Sequence, residues 1–195
     1  MKQIILFWFL IVSSFLVASI CFVRENFLFF ELLWRVSIIA GVYFFGRPRF
    51  SFTRKQWITL LLIFILTFGI TRVFSSSHSF LYSLLAVILG PLAEEMFFRG
   101  WLISRLEGSK RDKIVKSSFL FSLYHLKNAF LLPPLALAYQ LLYSGLVIGP
   151  IFAWVRLRYD SLFPSIVLHS VNNTIGLTIT ERFFPSIIKR FPLVT

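Results

Sequence analysis

The chain of 195 residues has one cysteine, three histidines and only eight acidic residues, and each scarcity excludes something. Cys21 alone can form neither an internal disulfide nor a cysteine-based zinc site. Its setting, Ala18-Ser19-Ile20-Cys21, makes a poor lipoprotein cleavage site because Ile20 is bulky, so it reads as a free core cysteine. Charged residues are 14% of the chain, against about 25% in soluble domains, while 57% is hydrophobic and 25 residues are Phe. That balance excludes a soluble enzyme and indicates an integral membrane protein. There is no long polar linker, repeat or low-complexity stretch, so residues 1–195 read as a single membrane domain.

What the chain does have is a run of apolar segments and a net charge of +12. The basic residues fall in loops between the apolar runs, as they do when they set membrane orientation, so no nucleic-acid partner is expected. Runs of spanning length lie near 3–22, 28–45, 57–74, 79–105, 117–132, 135–155 and 161–179. The first lacks a small-residue cleavage site and reads as a retained helix. With the loop at 46–56 on the cytoplasmic side, twelve basic residues fall inside and six outside, with Arg35 and Arg99 within spans. The N-terminus is then cytoplasmic, in what is expected to be a bacterial plasma membrane. The expected fold is all-α, a polytopic bundle of about seven transmembrane helices with an intramembrane site. Residues 1–78 serve as anchoring helices, 79–180 as the core, and 181–195 as a tail that can lie along the interface.

The fourth run is long for one span. Ser79 to Glu107 covers about 43 Å as a helix, against a hydrocarbon core of about 30 Å. Gly90-Pro91 interrupts it, because proline lacks a helix donor and disfavours helix before it. The spacing predicts a break or kink over 90–94, with a second half starting at the acidic pair. Gly149-Pro150 predicts the same for the sixth run.

That acidic pair is the most informative feature. In Leu92-Ala93-Glu94-Glu95-Met96-Phe97-Phe98-Arg99 two carboxylates and a guanidinium sit inside an apolar segment. A charge at a bilayer centre costs at least roughly 2.5–3.5 kcal/mol, so such groups face a protein interior or cavity and act there. Glu95 and Arg99 are four apart and share a helical face, while Glu94 projects about 100° away. Different surroundings can drive neighbouring glutamates into different roles, one structural and one a general base on water. A helix-end salt bridge would explain Glu95 and Arg99 but leave Glu94 without a purpose. Phe121 and His125 share a face by the same spacing on the next run, and so do His169 and Asn173 on the last. Each histidine by itself could be structural. Three such elements on three spans point to one shared site, with donors able to stabilise an oxyanion.

These three motifs, Glu94-Glu95-x-x-x-Arg99, Phe121-x-x-x-His125 and His169-x-x-x-Asn173, closely resemble the CAAX protease and bacteriocin-processing membrane family. Phe97-Phe98-Arg99-Gly100 extends the likeness, which covers residues 80–180. The resemblance implies an intramembrane endopeptidase that hydrolyses a peptide bond of a membrane-associated or C-terminally anchored substrate. By resemblance Glu94 activates water, His125 assists, and His169 with Asn173 forms the oxyanion hole. Glu95, Arg99 and Phe121 support them. No metal or other cofactor is expected, and the partners are a protein or peptide substrate and the lipid bilayer. Three other readings stay open. Glu94 and the two histidines could bind zinc in a metallopeptidase, although no His-Glu-x-x-His spacing is present. The fold could serve a non-catalytic immunity or scaffold protein, which would not need the full set of polar residues. A transporter with a carboxylate relay is the third, weakened by the missing repeat.

Overall fold

The structure is a computed structural model that describes residues 9, 13, 16, 27–46, 52–74, 80–130 and 132–183. The apolar run near 3–22, apart from those three residues, lies outside the described residues, as do Cys21 and the tail beyond Phe183. The described residues form six helices and no strand. Helix α1 is Phe27–Gly41, continued by a π-helical turn over Val42–Gly46. Helix α2 is Arg54–Phe74, and α3 runs Phe80–Leu102. Helix α4, Lys110–Tyr124, is prolonged by a 3-10 segment, His125–Phe130. Helix α5 runs Pro134–Tyr159 and α6 Phe163–Phe183. The all-α class follows from the environment, since lipid offers backbone groups no partner and each helix must satisfy its own. Helices α2, α3 and α5 are long and apolar enough to cross a membrane.

Helix α3 is the centre of the bundle. Of its spanning stretch 56% is buried, against 17% for α2 and for α5. Its second half packs Phe97, Phe98 and Trp101 against Phe121 and Tyr124 of α4, Leu162 just before α6 and Ile166 in its first turn. The Phe98 ring meets Phe121 and Tyr124 edge-on, at 5.2 and 5.4 Å, the preferred geometry of aromatic pairs.

The expected break at 90–94 takes another form. Gly90–Glu95 is regular α-helix, and the disturbance is spread into π-helical segments on either side, Leu85–Leu89 and Met96–Leu102. The sequence explains the first. Pro91 has no N–H, and the Gly90 N–H reaches back five residues to the Leu85 carbonyl rather than four to Ala86. One widened turn thus absorbs the proline without breaking the helix. Gly149-Pro150 repeats the device in α5, with the Gly149 N–H on the Ser144 carbonyl at the end of a π-helical segment, Ser144–Ile148. Both glycines are required by close approach. A Cβ at Gly90 would lie 2.8 Å from the Leu85 oxygen, and one at Gly149 2.3 Å from the Ser144 oxygen.

Helix α4 begins earlier than the apolar run near 117–132 suggests, because Ser109 caps it. The Ser109 hydroxyl accepts from the Asp112 N–H at 3.2 Å, and the Asp112 carboxylate accepts from the Ser109 N–H at 2.9 Å. This reciprocal capping box starts the helix in the polar loop. The helix gives way to 3-10 at His125, about halfway along that run.

The Ser109 hydrogen bonds hold the exposed Asp112 carboxyl below its usual value, from the side chain first and the backbone second. A depressed folded value means that the cap's contribution is complete above the ordinary carboxylate range and disappears as pH falls through the folded value. Amide exchange at Asp112 and Lys113, corrected for intrinsic rates, is therefore expected to rise on acidification below pH 4. Asp112→Ala should show the faster exchange already at pH 7, and unchanged rates in that variant would contradict the cap.

Candidate active site

Glu95 and Arg99, one turn apart on α3, are both fully buried, and Arg99 Nη1 lies 3.2 Å from Glu95 Oε1. Their position on the most enclosed helix keeps both from lipid. Arg99 Nη2 donates to the Gly149 carbonyl of α5 at 3.2 Å. Its guanidinium also lies over the Phe121 ring at 4.2 Å, a cation–π contact strengthened by the full burial of Arg99. In return Arg156 of α5 donates from Nε to the Arg99 carbonyl at 3.2 Å. One residue of α3 is thus tied to α5 through both side chain and main chain.

His169 of α6 lies 3.0 Å from Glu95 Oε1 through Nδ1. An ionised carboxylate only accepts, so Nδ1 carries the proton. Nε2 therefore faces the other way, 3.7 Å from Glu94 Oε2. Phe152 stacks on the imidazole at 5.0 Å and Phe121 meets it edge-on at 5.8 Å, which fixes the ring plane. The carboxylate behind the ring and the aromatic walls together set the orientation of a group that could act at Nε2.

Glu94 points away from Glu95, as their helical offset requires. Its Oε1 accepts from Arg35 Nη1 of α1. His125 sits at the end of α4, where its Nδ1 donates to the Phe121 carbonyl at 2.8 Å. It bonds its own helix rather than Glu94, and this again leaves Nε2 unengaged by that bond. The Phe121 ring stands against His125 at 4.7 Å, between the two histidines.

Asn173, one turn beyond His169, commits one amide N–H and its oxygen to other partners. Its Nδ2 donates to the Ala86 carbonyl at 2.8 Å, and its Oδ1 accepts from Asn172. That carbonyl is the one freed in α3, since Gly90 bonds Leu85 instead and Pro91 has no N–H to offer. The Gly-Pro pair thus creates an acceptor in the membrane, and Asn173 satisfies it. The structure links Glu94, Glu95, Arg99, Phe121 and His169 in one chain of contacts, with His169 between the two carboxylates. His125 borders them, and Asn173 adjoins through α6. Among the described residues no three His, Cys, Asp or Glu side chains are grouped to hold a metal ion.

A family model described as type II CAAX prenyl endopeptidase, Rce1-like, matches residues 76–175, half of the chain. The chain belongs to this family. It is accordingly a membrane-embedded member of a protease family, and the matched segment contains all seven of the residues singled out from the sequence. No curated protein and no solved structure matches the chain.

Sequence reasoning missed the α1 side of this cluster. Arg35 donates from Nε to Glu31 at 3.1 Å as well as to Glu94, and neither Glu31 nor Arg35 falls in the matched segment. A signal was available, since Glu31-x-x-x-Arg35 in an apolar run has the same spacing as Glu95 and Arg99. The charge count places Lys127 among the six basic residues of the outer side. It is instead 5% exposed, with Nζ donating to the Tyr124 hydroxyl at 2.8 Å and lying 4.0 Å from Glu31.

Arg99→Met should leave Glu95 without its cation in a fully buried position. Breaking a buried pair typically costs about 3–5 kcal/mol. Thermal unfolding in detergent is expected to show a large loss for Arg99→Met and a smaller one for the double variant with Glu95→Gln. Equal losses in the two would mean that the pair contributes nothing beyond packing.

Proposed function

We propose that the protein is an intramembrane endopeptidase that uses Glu94 as general base on water, without a metal. Membership in a protease family supports the hydrolase activity. The observation that carries the glutamate reading is the division of labour between the two Glu94 oxygens. Oε1 is engaged by Arg35, while Oε2 lies 3.7 Å from His169 Nε2, too far for a hydrogen bond yet close enough for one water to bond both.

In this reading Oε2 takes a proton from that water as the oxygen attacks the scissile carbonyl carbon. The resulting oxyanion is stabilised by His169 at Nε2 and by the Asn173 Nδ2 N–H that the Ala86 carbonyl leaves free. His125 Nε2 steadies the water. When the C–N bond breaks, Glu94 returns the proton to the departing amine, so the products are a carboxylic acid and an amine. Glu95 and Arg99 act through His169 by orienting it. The substrate is a protein or peptide presented at the membrane, and prenylated C-terminal sequences are the first class to try, because the family description names them. The enzyme works in the plasma membrane with its N-terminus cytoplasmic.

The test is a comparison of membrane proteomes carrying wild-type or Glu94→Gln protein, which should reveal a partner left uncleaved and map its cleavage site. On a peptide spanning that site, Glu94→Gln is expected to lose about 10²–10⁴ in rate. His169→Ala and Asn173→Ala should each lose about 10²–10³. A chelator should leave wild-type activity intact. Full activity in folded Glu94→Gln protein would rule the mechanism out, and loss of activity on chelation would transfer it to a metal.

A further inference from the structure

We propose that Arg35 is a positioning residue of this site, whose guanidinium fork, anchored on Glu31, holds one oxygen of Glu94 and thereby assigns the other to proton transfer. The inference rests on the glutamate reading above and adds a part that the family match does not cover, because α1 lies before residue 76.

The geometry is that of a bridge. Nε of Arg35 is on Glu31 Oε2 at 3.1 Å, and Nη1 is on Glu94 Oε1. A guanidinium is planar, so two of its donors engaged on two carboxylates leave it little freedom to turn. Glu31 shares the helix with Arg35 and also neighbours Lys127, so the anchor is itself held. Helix α1 comes close to α3 here, since a Cβ at Gly90 would lie 3.8 Å from Arg35 Cζ.

The need for such a clamp follows from the glutamate side chain. Its last torsion is broad, so the carboxylate plane by itself turns with little resistance. His169 does not hold it by a hydrogen bond at 3.7 Å. Arg35 fixes the plane, so that the oxygen not on its Nη1 faces His169. A compact ammonium in its place would keep the charge but not the fork, because it cannot reach Glu31 and Glu94 in one fixed plane. Charge neutralisation and positioning therefore make different demands on residue 35.

The experiment uses full-length protein in detergent and a synthetic peptide spanning the cleavage site mapped with Glu94→Gln. Kinetics are measured for Arg35→Lys, Arg35→Met, Glu31→Leu and the double variant Glu31→Leu/Arg35→Met, with thermal unfolding recorded for each. A misplaced reacting group can lose about 10²-fold. Arg35→Met is expected to lose roughly that in kcat, with KM within about twofold, and Arg35→Lys to recover only part of the loss. The Glu31→Leu change should lower kcat in the wild-type background and add nothing once Arg35 is gone, because Glu31 acts through Arg35. Wild-type kcat in folded Arg35→Lys protein would overturn the proposal, and that variant decides the matter even if Arg35→Met does not fold. Independent, multiplying losses for Glu31 and Arg35 would overturn it as well. If Glu94→Gln is fully active, the glutamate reading itself has failed. If Glu94→Gln is inactive and Arg35→Lys is unaffected, only the present proposal has.

Discussion

The hydrogen bond from His169 to Glu95 is the contact on which the rest of the site depends. It joins the last helix to the central one and decides which imidazole nitrogen faces Glu94. It also requires a carboxylate to be buried completely, and a buried carboxylate requires a cation. Arg99 is that cation, and its own burial calls for the Gly149 carbonyl and the Phe121 and Phe152 rings. Each partner exists because the one before it would otherwise be an unmatched charge. The aromatic density around residues 97–152 is thus the setting of a charge network as much as a hydrophobic core.

The two Gly-Pro pairs make a second kind of demand. In water a proline in a helix exposes a carbonyl that solvent satisfies, whereas in a bilayer the protein must supply the donor. In α3 the widened turn passes the loss to Ala86, and the answer comes from a side chain on α6, Asn173. Irregular backbone and site chemistry are therefore coupled here: the helix that carries the glutamates is registered against the helix that carries His169 through a hydrogen bond that a regular α3 would not need.

The sequence made much of this legible because the dominant constraint is local. Charges in apolar runs are costly enough to stand out, and four-residue spacing says which of them share a face. Glu94, Glu95, Arg99, Phe121 and His169 could be collected that way. The contribution of α1 could not, because Arg35 meets Glu94 across 59 positions and nothing in a linear pattern pairs one intramembrane charge with another helix. Lys127 was misjudged for a related reason. Positive charge near the end of an apolar run reads as topology, and only the folded α4–α1 contact turns it inward. The break near Gly90 was expected from proline alone, whereas the π-helical turn shows how a preceding glycine, with no Cβ to collide, lets the helix continue. The count of seven spans stays an expectation, because the first run lies outside the described residues.

The pairing of Glu31 with Arg35 and of Glu95 with Arg99 has a consequence for biogenesis. Each pair lies on one helix, four residues apart, so each helix can enter the membrane carrying its own neutralising partner. Insertion then does not have to wait for a neighbour to be synthesised. Glu94 differs, since its guanidinium partner belongs to α1, 59 residues earlier in the chain. The order of the chain places the receiving cation ahead of the carboxylate that needs it, so Glu94 can be met as α3 packs on α1 rather than stay unmatched in the bilayer.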